Sequence, residues 1–197
     1  KRRKQLEQDL EHVTQEMYRR NLELAETNQM LSLLRVIDSL VLESHEELEI
    51  LCQQIAKAIA DNSNFPFVAF FSGSPSADHF KLLGFSSALH KLSELEGEKI
   101  YIDLDEPWLK TPERQTVVDV HDLSPEAIGR HLHIAKKLAA TASREAHIPL
   151  VVIIKLIARQ RIVGLMAVGL AKGTAVSEKE QILLDRLSEA AGIALDN

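Results

Sequence analysis

The chain has 197 residues, of which 45% are hydrophobic and 26% charged, with a net charge of −6; this bounds it to one ordinary globular domain plus an appendage. The acidic balance argues against nucleic-acid binding, because phosphate contacts need a surplus of Lys and Arg. A single cysteine excludes an internal disulfide and points to a reducing, cytoplasmic setting. The best apolar run, Pro149 to Ala158, falls well short of the roughly 18 residues of a spanning helix and is interrupted by Lys155. Both ends of the sequence lie within helical patterns, so it reads as a piece of a longer protein. Lys1-Arg2-Arg3-Lys4 fits either the cytoplasmic flank of an upstream membrane helix or a solvated charge cluster at a helix start.

Residues 1–43 hold neither Gly nor Pro and are rich in Glu, Leu, Gln and Arg, all good helix formers. Leu6, Leu10, Val13, Met17, Arg20, Leu24, Thr27, Leu31, Leu34, Asp38 and Val41 recur in alternating steps of four and three. That is a heptad seam over about five heptads, which predicts a coiled-coil helix about 65 Å long. Polar Arg20, Thr27 and Asp38 weaken the seam and set its register. Leu10, Val13, Met17, Leu24, Leu31 and Leu34 are the expected dimerisation residues. A second apolar line, Met30, Leu33, Ile37 and Leu40, appears only in the later half. There the helix is expected to leave its partner and dock on a globular body.

Ser44-His45-Glu46-Glu47 reads as a capping box with Ser44 as the N-cap. It opens a helix whose stripe is Leu48, Leu51, Cys52, Ile55, Ala58 and Ile59. Asp61 to Asn64 break that helix. Phe67 to Ser72 and Phe80 to Phe85 then predict two strands around the Gly73-Ser74-Pro75-Ser76 turn. Residues 86–115 are less regular, with a short strand expected at Lys99 to Leu104. Thr116 to Val120 is a further strand, and Ser124-Pro125 opens a helix with the stripe Ile128, Leu132, Ala135, Ala139 and Ala142. Ile148 to Ala158 and Ile162 to Leu170 form a hairpin around Arg159-Gln160-Arg161, apolar on both faces and so expected to be covered on both. Ser177-Glu178-Lys179-Glu180 is a second capping box, opening a helix with Leu183, Leu187, Ala190, Ala191 and Ala194 inward. The order predicts an α+β domain with a mainly antiparallel sheet.

The run Ile148-Pro149-Leu150-Val151-Val152, the Arg159 to Val168 hairpin and the closing helix from Ser177 to Leu195 resemble the end of a GAF domain. The helix from Glu46 to Ala60 and the strands from Phe67 to Phe85 resemble its beginning. Residues 1–43 resemble the signalling helices that precede GAF domains in bacterial histidine kinases and cyclic-di-nucleotide enzymes. The division implied is a coiled-coil signalling helix over 1–43 and a GAF-like sensory domain over 44–197. The resemblance implies a six-stranded antiparallel sheet flanked by helices, with the terminal helices on one face forming a parallel dimer bundle. It implies a small-molecule pocket on the other face, beneath about residues 86–146. GAF domains bind cyclic nucleotides, bilins, haem or nothing, so the cofactor stays open.

Each residue that suggests chemistry also has a plainer reading. Cys52 lies on an apolar helical stripe beside Leu51 and Ile55, which suits a buried structural thiol better than a bilin or redox site. The free methionine sulfoxide reductases that share this fold need more than one cysteine. His131 and His133 are about 200° apart around a helix, so they cannot share a metal there; His131 faces the stripe. His121, Glu145 and His147 lie nearby in sequence, and the pair could share a metal only if the segment were extended, so no metal site is expected. Ser44 to Leu48 resembles a histidine-kinase phosphoacceptor box but lacks its Arg-Thr-Pro continuation, and no DxGxG motif follows. The NKFDE signature of cyclic-nucleotide-binding GAF domains, Gly-rich phosphate loops and HExxH are missing too.

Phe70, Leu82, Trp108, Val118 and His131 are the expected pocket lining. Trp108 is suited to stack on a flat ligand or to anchor a loop. The chain is thus expected to be a non-catalytic sensory or regulatory module of a larger signal-transduction protein, a bacterial sensor histidine kinase first of all. Its partners would be a second copy of itself, a small-molecule effector and an output domain following in the same chain. The alternative is a structural dimerisation and relay spacer without ligand, in a diguanylate cyclase or another output protein.

Overall fold

The computed structural model describes residues 2–43, 47–73, 79–89, 101–103, 110, 112–119, 148, 150–171 and 175–196. In chain order these form α1 (Arg2–Glu43), α2 (Leu48–Asn62), β1 (Phe67–Gly73), β2 (His79–Ser87), β3 (Tyr101–Asp103), β4 (Gln115–Asp119), β5 (Leu150–Ala158), β6 (Arg161–Leu170) and α3 (Glu178–Asp196). The six strands make one antiparallel sheet in the order β3-β2-β1-β6-β5-β4. Each of the six strands predicted from the sequence is present, with ends shifted by a residue or two. The helix expected from Ser124 lies outside the described residues.

α1 is one continuous helix, consistent with its lack of Gly and Pro. Exposed pairs such as Arg3–Glu7, Arg20–Glu16 and Arg19–Glu23 decorate it at one-turn spacing and contribute a few tenths of a kcal/mol each, about 0.3–0.5 by analogy. Its later half docks as expected: Leu33 and Ile37 are buried, with Met30, Leu34, Leu40 and Val41 packed beside them.

The capping box expected at Ser44 is not the start of α2. The N-cap is Glu47, whose backbone is extended (φ −62°, ψ 145°) and makes no side-chain cap. An extended Glu47 cannot be the third residue of a helical turn, so its carboxylate cannot reach back as a capping box requires. Residues 44–46 lie outside the described residues. At α3 the box does form. The Ser177 N–H and hydroxyl both donate to the Glu180 carboxylate at 2.8 Å, and Glu180 N–H returns to Ser177 Oγ at 3.2 Å.

The three helices among the described residues lie on one side of the sheet. α2 covers β1 and β2, α3 covers β5 and β6, and α1 packs on α2 and α3. A Cβ on Gly84 would come within 2.5 Å of the Cys52 backbone, so a side chain there would push α2 off β2. The β5–β6 hairpin turns through Arg159 (φ 47°) and Gln160 (φ 63°), the left-handed pair that a two-residue primed turn demands. Arg159 and Arg161 both reach Asp196, at 2.8 and 3.2 Å, and so tie the hairpin tip to the last turn of α3. Two cations there also oppose the carboxylate's unfavourable place at a helix C-terminus.

Candidate functional site

Strand alternation decides which residues meet the helices and which line the other, far face. β1 reads Phe67-Val68-Ala69-Phe70-Phe71, apolar at every position, so periodicity in the sequence does not choose a face. Val68 and Phe70 point to the helices and share a core with Leu51, Ile55 and Leu187. Phe70 therefore does not line the expected pocket. Being one residue out of phase places it on the opposite side of the sheet.

Leu82 stays on the far face because of a bulge. The register shifts between Phe70 and Phe71, so Phe70 pairs with Gly84 while Phe71 pairs with Leu82. Phe67, Ala69, Phe71, Phe80, Leu82 and Phe85 share that face and are all buried. The Phe67 and Phe85 rings stack with centroids 5.9 Å apart. A Cβ on Gly169 of β6 would strike the Phe67 ring. This end of the far face is packed with aromatic side chains. Of the other expected lining residues, Val118 pairs through its backbone with Val151. Its side chain, Trp108 and His131 lie outside the described residues.

Towards β4 and β5 the far face changes character. Val151, Ile153 and Lys155 of β5 stand beside Leu165, Ala167 and Gly169 of β6. Lys155 is only 4% exposed. Its N–H donates to the Arg114 carbonyl at 2.9 Å, extending the Gln115–Ile154 register by one step. Arg114 is thereby placed directly across from Lys155. The Nε atom of Arg114 is buried and finds no hydrogen-bond partner among the described residues. Sequence reasoning met Lys155 only as an interruption of an apolar run and passed over Arg114. The available signal was a lone charge within Leu150 to Ala158, a strand that is apolar on both faces.

Cys52 is buried in the helix-side core, as expected. Burial, followed by the negative charge of Glu49, pushes its thiol up to about 12. It keeps its proton at neutral pH and is a poor nucleophile there. Along α1, Leu10, Val13, Met17, Leu24 and Leu31 are exposed, Leu10 by 68% and Leu24 by 60%. Leu34 instead packs, partly buried, against its own core. Near α3 a crevice of about 180 Å³ opens between Met30 and Leu33 of α1, Phe65, and Leu183. It is rimmed by the Lys179–Glu26 ion pair at 2.8 Å and lies on the helix side, away from the expected pocket. Among the described residues no group of three His, Cys, Asp or Glu side chains is placed to hold a metal. No helix among them is long and apolar enough to cross a membrane.

No family model and no curated protein matches the sequence. Solved structures do match. The phycoerythrobilin-bound GAF domain of a cyanobacterial phytochrome superposes with a TM-score of 0.62 at 15% identity, covering 85% of this chain and 95% of that one. The GAF domain of an Acinetobacter phosphoenolpyruvate-protein phosphotransferase gives 0.60 at 13% identity, over 87% and 93%. A free methionine-R-sulfoxide reductase from Neisseria meningitidis, in complex with its substrate, gives 0.57 at 15% identity, over 85% and 88%. With sheet order, helix placement and these superpositions in agreement, the chain has the GAF fold, led by a long amino-terminal helix.

Proposed function

We propose that this chain is the sensory or regulatory module of a larger cytoplasmic signal-transduction protein, a histidine kinase in our reading. It dimerises in parallel along α1 and responds to a small ligand on the far face of the sheet. One observation carries the proposal. The entering helix and the closing helix meet in a single core beneath the sheet, Leu33 and Ile37 of α1 with Leu183, Leu184 and Leu187 of α3. Because close-packed cores do not deform continuously, a change on the sheet biases discrete arrangements of the two helices. A ligand shifts that balance only by its differential affinity for the two arrangements.

The module itself performs no catalysis in this reading. The fold is shared with methionine sulfoxide reductases, but here the lone thiol sits on the helix side with its proton held to about pH 12. Covalent bilin attachment at Cys52 is disfavoured by the same burial. A second reading, a ligand-free dimerisation and relay spacer, draws support from the aromatic packing around Phe67 and Phe85. Native mass spectrometry of the freshly purified chain separates the two. A dimer retaining a small molecule is expected. A dimer without added mass favours the spacer, and a monomer at tens of micromolar overturns both.

A further inference from the structure

The crevice beside α3 is built from α1, the connection between α2 and β1, and the start of α3, where α1 passes onto the body of the domain. Leu33, Phe65 and Leu183 are buried and Met30 is part-buried, and together they give it an apolar floor. Thr27, a position of the expected coiled-coil seam, stands at its edge. The charged groups around the mouth are already answered. Lys179 Nζ donates to Glu26 at 2.8 Å, and the Glu180 carboxylate takes the Ser177 N–H and hydroxyl, also at 2.8 Å. Glu180 lies in the first turn of α3, where the helix dipole favours a negative charge. Gln29, Ser63 and Asn64 complete the rim with amide and hydroxyl groups that both donate and accept.

We propose that this crevice is a ligand site in its own right, distinct from the far-face site of the reading above, and that it takes a small neutral molecule with one aromatic ring and one hydrogen-bonding group. Its volume of about 180 Å³ sets the size. An apolar cavity of about 150 Å³ holds benzene, which leaves room for one polar group more. The floor sets the body of the ligand. Met30 offers a thioether and Phe65 a ring, both of which make favourable contacts with another ring. The rim sets the charge. A carboxylate would meet Glu26 and Glu180, and an ammonium would compete with Lys179 for Glu26. A neutral hydroxyl disturbs neither pairing and finds partners among the rim amides. A ligand seated there bridges Met30 and Leu33 of α1 to Leu183 of α3, so it favours the arrangement in which α1 is docked.

The test is an NMR titration of the whole chain with benzyl alcohol, benzoate and benzylamine, which share a ring and differ in charge. Benzyl alcohol is expected to perturb Met30, Leu33, Phe65 and Leu183. The two ions should bind more weakly by about threefold or more, because a charge moved out of water without a partner costs free energy. Met30→Trp, which fills the crevice, should abolish the perturbation, whereas Met30→Leu, close in volume, should retain it. Lys179→Gln, a change at an exposed residue, removes the partner of Glu26 and should turn the preference towards benzylamine. Benzoate or benzylamine binding the wild-type chain as tightly as benzyl alcohol would overturn the neutral-ligand assignment, as would an unchanged preference in Lys179→Gln. Shifts confined to far-face residues such as Phe71 and Leu82 would sink this site while supporting the sensory reading. No shift with any of the three at about 10 mM, enough to reveal millimolar affinity, would remove the crevice site and leave that reading standing.

Discussion

Gln53 of α2 and Phe85 of β2 exchange two hydrogen bonds, the Gln53 amide donating to the Phe85 carbonyl at 2.7 Å and accepting from its N–H at 2.9 Å. Among the described residues, β3 pairs with β2 over His79 to Lys81. Further along, β2 is a sheet edge among the described residues, and the side chain of Gln53 pairs with it as a neighbouring strand would. A polar residue part-buried on an otherwise apolar helix face is thereby explained. Gln53→Leu should strip both Phe85 groups of their partner and destabilise the fold by about 1–3 kcal/mol. The check is the urea midpoint, which should fall with little change in slope.

A second test uses the buried thiol. Unfolded, Cys52 ionises near its ordinary value of 9.0; folded, it holds its proton to about 12. Between those values the unfolded state binds fewer protons than the native state, so stability falls as pH rises. The contribution is fully present below about pH 9 and declines by roughly 1.4 kcal/mol per pH unit above it. Cys52→Ala should lose this alkaline slope while losing some stability at neutral pH through the cavity. Denaturant midpoints of the two proteins at pH values below and above 9 give the difference. A thiol reagent should label the native protein slowly and the denatured protein quickly.

The exposed seam of α1 predicts a dimer that two substitutions dissolve. Leu24 and Leu31 are exposed in the isolated chain and do not contribute to its core. Leu24→Glu with Leu31→Glu should weaken dimerisation by a hundredfold or more, given about 1.5–3 kcal/mol per buried leucine. The circular dichroism of the globular part should persist. Sedimentation equilibrium reads the outcome, and a wild-type monomer at tens of micromolar would sink the idea.

The hairpin turn holds two non-glycine residues with positive φ, Arg159 and Gln160. Left-handed backbone costs an L-residue about 1–2 kcal/mol, and glycine avoids most of that. Gln160 makes no ion pair with Asp196, whereas Arg159 and Arg161 both do. Gln160→Gly should therefore stabilise the protein by about 1 kcal/mol, offset in part by a more flexible unfolded chain. Thermal unfolding should shift upward by a few degrees.

Much of the architecture was legible in the sequence because it rests on short-range periodicity. The heptads of α1, its second apolar line at Leu33 and Ile37, the Ser177–Glu180 box and the β5–β6 hairpin each follow from spacing within one element. Cys52 was legible for the same reason, a small apolar-compatible residue on a helical stripe. Which way a strand faces was not legible where every position is apolar. Phe70 and Phe71 are chemically identical neighbours, and only the pairing of β1 with β2 and β6, with its bulge, turns one towards the helices and the other away. The start of α2 was likewise decided by the extended backbone of Glu47, despite a good capping signal at Ser44. The juxtaposition of Arg114 and Lys155, 41 positions apart, was beyond any local pattern. A sheet brings distant residues face to face through register, a property of two strands together and not of either sequence alone.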